Sequence, residues 1–527
     1  MTLEHEPPGT EWCDVLVVGG GPAGLAAATE LRRRGVAKVI VAEREPAFGG
    51  IARHSVHTGY GMRDLHRIMS GPDYAGRWTE LARLSGVDLR PSTTVTAFDP
   101  VTVADAAAAD VPQVPAARAE LYSPAGSVVV LARAVVLATG ARERPRSARL
   151  VPGDRPTGVY TTGAVQQLAV AGRFQGRRAV IVGAEHVSFS AVLTLAHVGC
   201  RTAAILTTEP RHQTYGVVAS AVAGLRRIPV LTGTSVDRIV GGPDGRVTSV
   251  VVRTDDGERS IACDTVVFTG DWIADHELSR RSGLRMDPAT KGPRADTALG
   301  LERPGWFAAG NLLHGAETAD VCALDGRHVA ASIVRWLGDA RSGPDGPGAR
   351  GRVSIGLDPP LRWVSPGEVL PGVRPPRNRF LLRVVDSPAR SGYLHVTNAV
   401  IPDDPHVTKP AIPDDPHVTI RGVPIRHVEV LQGTRVLWRG RIRGRATPNR
   451  SCWIPAGWVD AVAALDHTDA GSAPITIRVV PRPGTSTPAG DAPSPPPPSP
   501  ISVRRASPRG RGGTGRHARF RSWFRKE

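Results

Sequence analysis

Over about the first 340 residues, short fully apolar runs alternate with alanine-rich stretches whose apolar residues recur at helical spacing. Val15 to Val18 is one such run. It ends in a glycine cluster, an alanine-rich helix runs to Arg34 with Gly35 as its C-cap, and Val39 to Val41 forms a second strand. The same strand, helix, strand order returns at about 177–208, with strand Ala179 to Val182, helix Ser188 to His197, cap Gly199 and strand Thr202 to Thr207. Between the two units lie a strand ending at Ala138-Thr139-Gly140 and an arginine-rich connector, 141–157. Alternating segments at 230–234 and 247–253 predict a small antiparallel extension, followed by a buried strand within 264–270, a closing stretch at 305–310 and a helix at about 322–337.

From about 341 the pattern changes. Prolines become frequent, and 380–385, 427–431, 436–441 and 475–480 alternate as half-buried strands do, which predicts a small β-sandwich-like module. Inside it "IPDDPHVT" occurs at 401–408 and again at 412–419, a loop duplication, since stacked repeat folds need at least three units. "PSPPPPSP" at 493–500 and the arginine-rich end read as a disordered basic tail. The expected fold class is therefore α/β: two Rossmann-like units, the second inserted in the first, then a β-rich module and the tail. The boundaries expected are 12–150 with 265–340, 151–264, 341–485 and 486–527.

Composition changes this picture little. The net charge of +17 invites a nucleic-acid reading, yet residues 501–527 alone carry nine Arg or Lys against one Glu, and the remaining arginine is spread along the chain. No specific nucleic-acid partner is expected. The five cysteines are scattered with no C-x-x-C pair, which argues against thiol redox chemistry, a disulfide framework and a cysteine-ligated cluster. The histidines lack a supporting carboxylate pattern, so no metal site is expected. The acidic start has no apolar signal region and no apolar stretch approaches membrane-spanning length, so a cytoplasmic location is expected.

The first glycine cluster carries the clearest chemistry. "VVGGGPAGLAAA" places Gly19, Gly21 and Gly24 at G-x-G-x-x-G spacing between strand and helix. Such glycines permit the tight turn, let backbone approach a pyrophosphate and let helix pack on strand, while the helix N-terminus offers N–H groups to phosphate. Glu43, at the end of the next strand, is placed to bind ribose hydroxyls.

Three further stretches, "FGG" (48–50), "VVLATGA" (135–141) and "GWFAAGN" (305–311), follow in an order that resembles the pyridine nucleotide-disulfide reductase-like flavoproteins across about 12–338. Within that group "ATGARERP" (138–145) and "GVYTTGAVQQL" (158–168) resemble the FAD-carrying chains of hydrogen cyanide synthase, opine dehydrogenase and D-hydroxyproline dehydrogenase, and the related part of heterotetrameric sarcosine oxidase. The resemblance implies FAD held by Gly19, Gly21, Gly24, Glu43, Gly49, Gly50, Thr139, Gly140, Gly310 and Asn311, the last standing where the family usually has Asp.

In the disulfide reductases the segment after "GG" carries the reactive cysteines. Here it reads "IARHSVHTGYGMRDLHRIM" (51–69) and offers His54, His57 and His66 as proton-acceptor candidates and Arg53, Tyr60 and Arg63 as substrate-binding candidates. The alternative reading of "RDLHRIM" is a helix with Leu65, Ile68 and Met69 inward and Arg63, Asp64 and Arg67 solvated.

The second turn, "VGAEHVSFSA" (182–191), departs from the dinucleotide pattern: Gly183 is kept, but Glu185 and Ser188 replace the second and third glycines. A side chain at 185 takes the space a pyrophosphate needs, and an ionised one about 4 Å from phosphate costs about 4 kcal/mol at an effective dielectric near 20. NAD(P) is therefore disfavoured there, although Glu209 and Arg211 stand where ribose and 2'-phosphate contacts would come. The expected function is FAD-dependent oxidation of a small amine, amino acid or hydroxy acid, with an electron acceptor or partner subunit besides the substrate. The alternatives are an NAD(P)H-dependent flavin reductase feeding a partner and a non-catalytic carrier flavoprotein.

Overall fold

The computed structural model describes residues 9–99, 101, 116–315, 317–339, 351–384, 427–444, 446–447, 450–463 and 473–480. The duplicated "IPDDPHVT" and the tail from 486 lie outside the described residues.

The first sheet is built on strand Gly9–Val18, whose last six residues are buried on both faces, as a parallel strand covered by helices requires. Its neighbours are Val39–Ala42 on one side and Gly126–Leu137 on the other, both parallel to it. Gly126–Leu137 then pairs with two different strands along its length: antiparallel with Ala117–Ser123 and, at its end, parallel with Trp306–Ala308. The returning strand brings Gly310 and Asn311 to the ends of the central strands. Helix Pro22–Arg33 buries Leu25, Ala26, Ala27, Ala28 and Leu31 against the sheet. The long helix Ala319–Asp339 packs on it through Gly326, where a Cβ would stand 2.2 Å from the Ala23 carbonyl.

Residues between those paired strands make a second sheet in the order Val159–Thr161, Thr265–Phe268, Arg178–Val182, Arg201–Leu206, Val230–Leu231, all parallel. Val230–Leu231 thus belongs to this parallel sheet, because Ile205 and Leu206 present the edge it joins. The antiparallel extension consists instead of Ser235–Gly241, Val247–Thr254 and Gly257–Ala262. In the β-rich part, Val353–Leu357, Glu368–Val369, His427–Gln432, Arg435–Arg441 and Ile475–Val480 form one sheet, and Leu361–Ser365, Arg379–Val384 and Cys452–Pro455 another. Val369, Phe380, Leu382, Val428, Val430, Ile454 and Ile477 from both sheets share a single core.

The segment 63–69 is not a helix. Strands Thr58–Tyr60 and Met69–Ser70 pair antiparallel, and the Gly61 carbonyl accepts from the N–H groups of Leu65 and Arg67. Asp64 is buried, accepting from Tyr74 Oη at 2.6 Å and Trp78 Nε1 at 3.0 Å, while Ile68 is 73% exposed. Helix Gly71–Leu84 supplies two buried aromatic donors for Asp64, and satisfying a buried carboxylate outweighs the amphipathic pattern. Among the described residues no helix is long and apolar enough to cross a membrane.

Candidate functional site

At the first turn, Gly19 has φ +105° and a Cβ there would stand 2.5 Å from the Ala138 carbonyl, so the turn is closed to any other residue. Gly24 lies under it, with room for no Cβ: the Gly19 carbonyl is 2.0 Å from that position. Gly21 caps the helix with φ −79° and ψ −176°; no side chain caps the helix and no acid stands in its first turn. Its N–H groups are therefore available to an anion. Gly49 donates its N–H to the Gly20 carbonyl at 2.7 Å, which brings Gly50 against Gly21, the Cβ position of Gly50 lying 3.2 Å from Gly21 Cα. Two facing glycines leave a slot bounded by backbone. Buried Glu43 accepts from the Gly20 N–H at 2.7 Å and the Glu45 N–H at 2.9 Å, so its carboxylate is held beside the turn. These features fit an FAD pyrophosphate and ribose.

Two other candidates have their side chains engaged within the chain. Thr139 donates its hydroxyl to the Asp275 carbonyl at 2.7 Å, and Asp275 returns its N–H to Gly140. Asn311 donates to the Glu317 carbonyl at 3.1 Å and accepts from its N–H at 2.9 Å. Both hold loops at the sheet ends, and what they offer outward is backbone. Gly310, at φ +73°, lets the turn pass close to Ala23.

The segment after Gly50 begins as one 3-10 turn, Gly50–His54. Arg53 pairs with Glu45, and Arg63 pairs with Asp320 at 3.1 Å and donates to Thr318 Oγ1 at 3.2 Å. Both arginines thus have partners in this structure. Tyr60 stacks obliquely between His57 and Tyr74, and burial raises its pKa. The three histidines differ. His66 is exposed at φ +53°. His54 has a buried, unpartnered Nδ1, and burial, then Arg53, push its pKa down. His57 bridges the two α/β units: Nδ1 is 2.9 Å from the Thr58 carbonyl, and Nε2 is 2.6 Å from Ser190 Oγ on helix His186–His197.

The second turn repeats the frame of the first. Gly183 donates to the Leu206 carbonyl at 2.8 Å as Gly19 does to that of Ala42 at 2.9 Å, and Glu185 caps its helix with φ −82° and ψ −178°. That register makes Thr207 the counterpart of Glu43, while Glu209 stands beyond the strand end. The Glu185 side chain folds back over the strand ends. Its oxygens lie 2.8 and 2.9 Å from where a Cβ on Gly183 would be, and Oε1 lies 2.4 Å from that position on Gly270. Thr269 Oγ1 and Ser188 Oγ, 2.7 Å apart, fill the remaining space. Burial raises the Glu185 pKa, with Thr269, Arg149 and Ser188 opposing. The Glu185 carboxyl thus lies within the turn, between Gly183 and Gly270. Charge repulsion of phosphate, the second half of the expectation from sequence, weakens because burial favours the neutral acid.

Sequence reading missed what surrounds Glu185. Buried Glu143 accepts from the Gly163 N–H at 2.9 Å, its other oxygen has no partner, and burial raises its pKa to about 7. Arg149 donates to the carbonyls of Thr269 and Gly270 at 3.0 and 2.8 Å. Gln166 Nε2 donates to Ser190 Oγ at 3.2 Å. Gln166 stands out as a polar residue in an apolar stretch, whereas Glu143 and Arg149 lie in the arginine-rich connector, where nothing local marks them. All five cysteines are buried and unpaired.

The family model described as pyridine nucleotide-disulphide oxidoreductase matches residues 13–326. A curated opine oxidase chain of Agrobacterium tumefaciens (strain Ach5), one subunit of that enzyme, is 30% identical over 312 residues, 54% of this chain and 58% of that protein. The alpha chain of sarcosine oxidase from Corynebacterium sp. (strain P-1) is 32% identical over 45% of this chain and 23% of that protein. One of the alkyl hydroperoxide reductase subunits of Pseudomonas putida is 26% identical over 57% of this chain and 53% of that protein. The chain therefore spans under two thirds of the length of each of these curated relatives. Thioredoxin reductase of T. acidophilum shares the fold, with TM-score 0.52 and 20% identity over 62% of this chain and 98% of that chain. The chain belongs to the pyridine nucleotide-disulphide oxidoreductase family and has a Rossmann-type α/β fold.

Proposed function

We propose that this protein oxidises a small amine, amino acid or hydroxy acid, with FAD as the hydride acceptor and the second dinucleotide site closed to NAD(P). The observation that carries the reading is the filled second turn, where Glu185, Ser188 and Thr269 occupy the space between Gly183 and Gly270. A flavoprotein with that site closed takes its electrons from a substrate at the flavin. The absence of a paired or exposed cysteine among five buried thiols argues against disulfide substrates. The opine oxidase and sarcosine oxidase chains, by their names parts of enzymes that oxidise opines and sarcosine, support the amine class. FAD supplies the two-electron acceptor; the chain positions and shields it. Gly19, Gly21, Gly24, Glu43, Gly49 and Gly50 hold the pyrophosphate and ribose side, with backbone from Thr139, Gly140, Gly310 and Asn311. Electrons then pass to an acceptor or to another chain, a step supported by the relatives' being named as subunits.

The second reading, an NAD(P)H-dependent flavin reductase, is favoured by the preserved backbone frame of the second turn and by the likeness to the alkyl hydroperoxide reductase chain. An anaerobic screen of secondary amines, amino acids and 2-hydroxy acids against the flavin absorbance tests the first reading. Bleaching by one class is expected. No bleaching by any of them overturns it, and bleaching by NADH or NADPH then separates the reductase from a carrier role.

A further inference from the structure

Ser190, on a helix of the second unit, meets His57 of the segment after Gly50, with its Oγ 2.6 Å from His57 Nε2. With Gly21 and Glu185 as equivalent helix caps, its counterpart in the first helix is Ala26, so the hydroxyl is a departure specific to the second unit. Three elements converge on it: the segment after Gly50 through His57, helix Thr162–Val170 through Gln166, and its own helix. The directions of these bonds follow from what each group can do. The Thr58 carbonyl only accepts, so His57 Nδ1 carries the ring proton. The Gln166 amide NH2 only donates, so Ser190 Oγ accepts from it and turns its own proton toward His57 Nε2. The result is a neutral imidazole in one tautomer with its basic nitrogen on a hydroxyl. Burial lowers the His57 pKa, which keeps the ring neutral near neutral pH. The other titratable and charged groups facing this locus are Tyr60 on the same segment, His186 at the start of the Ser190 helix, and, acting on His186, Arg63, Asp320 and Arg450. Neither His54 nor His66 has both ring nitrogens specified in this way.

We propose that His57 is the base that removes the substrate's N–H or O–H proton, with Ser190 and Gln166 as its positioning residues and Ser190 as the relay. This rests on the substrate-oxidation reading above. The balance is complete: the substrate carbon loses a hydride to FAD, its nitrogen or oxygen loses a proton to Ser190 Oγ, and the Ser190 proton passes to His57 Nε2. A C=N or C=O bond forms, and the imidazolium is held by the Thr58 carbonyl. A helix start closed to pyrophosphate is thereby put to use one turn further on.

Two measurements test this. The first needs no substrate: purified holoprotein is treated with diethyl pyrocarbonate across pH, and modification of each histidine is followed by peptide mass spectrometry. His57 is expected to react slowly because Nε2 is capped by a hydroxyl, several-fold faster in Ser190→Ala, and at the wild-type rate in Ser190→Thr. An unchanged His57 rate in Ser190→Ala overturns the dyad. The second uses sarcosine, L-proline and lactate as probes of anaerobic flavin reduction. For whichever probe reduces the wild type, His57→Gln is expected to lower the rate constant by about a hundredfold or more, with FAD content retained and the low-pH limb of the profile lost. Ser190→Ala should lower it about tenfold with the limb kept, and Ser190→Thr should restore it, while His197→Gln at the far end of the helix changes nothing. Equal reduction of His57→Gln and wild type overturns the proposal and leaves the substrate-oxidation reading standing. Reduction of the wild type by none of the three, with the dyad present in the first measurement, counts against that reading and against the base role together.

Discussion

The two glycine turns share one backbone and differ in what fills it. At residues 19–24 the helix cap is Gly21, and the space over it is bounded only by Gly50 and backbone. At residues 183–188 the cap has the same φ and ψ, but Glu185, Ser188 and Thr269 pack the space from within. The fold of a dinucleotide unit is therefore set by strand register, glycine at the first position and the helix behind it. On the proposed reading ligand binding is set separately, by whether a Cβ is present at the second position.

The strongest way to break this contrast is to copy one turn into the other. Gly21→Glu should abolish FAD binding, seen as loss of visible absorbance in a protein that still folds by circular dichroism; a yellow variant would mean the slot tolerates a side chain. The reverse change, Glu185→Gly with Ser188→Gly, should open the second turn and bring a nicotinamide response at least about tenfold above wild type, a gain of about 1.4 kcal/mol in binding. No gain would show that more than these side chains closes the site.

Burial of the acids gives a smaller effect with a definite sign. Burial pushes the Glu143 pKa up to about 7 from the ordinary 4.5. Its folded pKa is raised, so the stability it contributes is full below the ordinary value and is lost as pH rises through the folded one. That loss is about 3 kcal/mol at most, since each pKa unit is worth about 1.4 kcal/mol. Glu143→Gln keeps an acceptor for the Gly163 N–H, and its denaturant midpoint should fall less than that of wild type between about pH 5 and about pH 8. A wild-type-like fall would assign the pH dependence elsewhere. Least of all should change on deleting residues 486–527, since every cofactor candidate lies at or before Asn311: flavin content should stay at the wild-type level.

Much of this was legible in the sequence because it is local. The apolar runs, Gly19, Gly21, Gly24 and Glu43 are read within one strand, turn and strand, and Glu185 is visible as a misfit in a short motif. What was hidden depends on partners distant along the chain. Glu185 turns inward because Thr269 and Gly270 wait there, and Asp64 is buried because Tyr74 and Trp78 donate to it. Thr139 and Asn311 spend their side chains on Asp275 and Glu317. Arg53 and Arg63, by sequence candidates for a substrate carboxylate, meet carboxylates of the chain itself. The His57 to Ser190 bond joins residues 133 apart, which no local pattern announces.

If the second turn is closed, electrons enter from a substrate at the flavin and not from a nicotinamide. Anaerobic stopped-flow mixing of the holoprotein with NADH and with NADPH at micromolar concentration tests it most directly. The flavin absorbance should stay unchanged over seconds with both; rapid bleaching by either would contradict the closed site and make the protein a nicotinamide-dependent reductase.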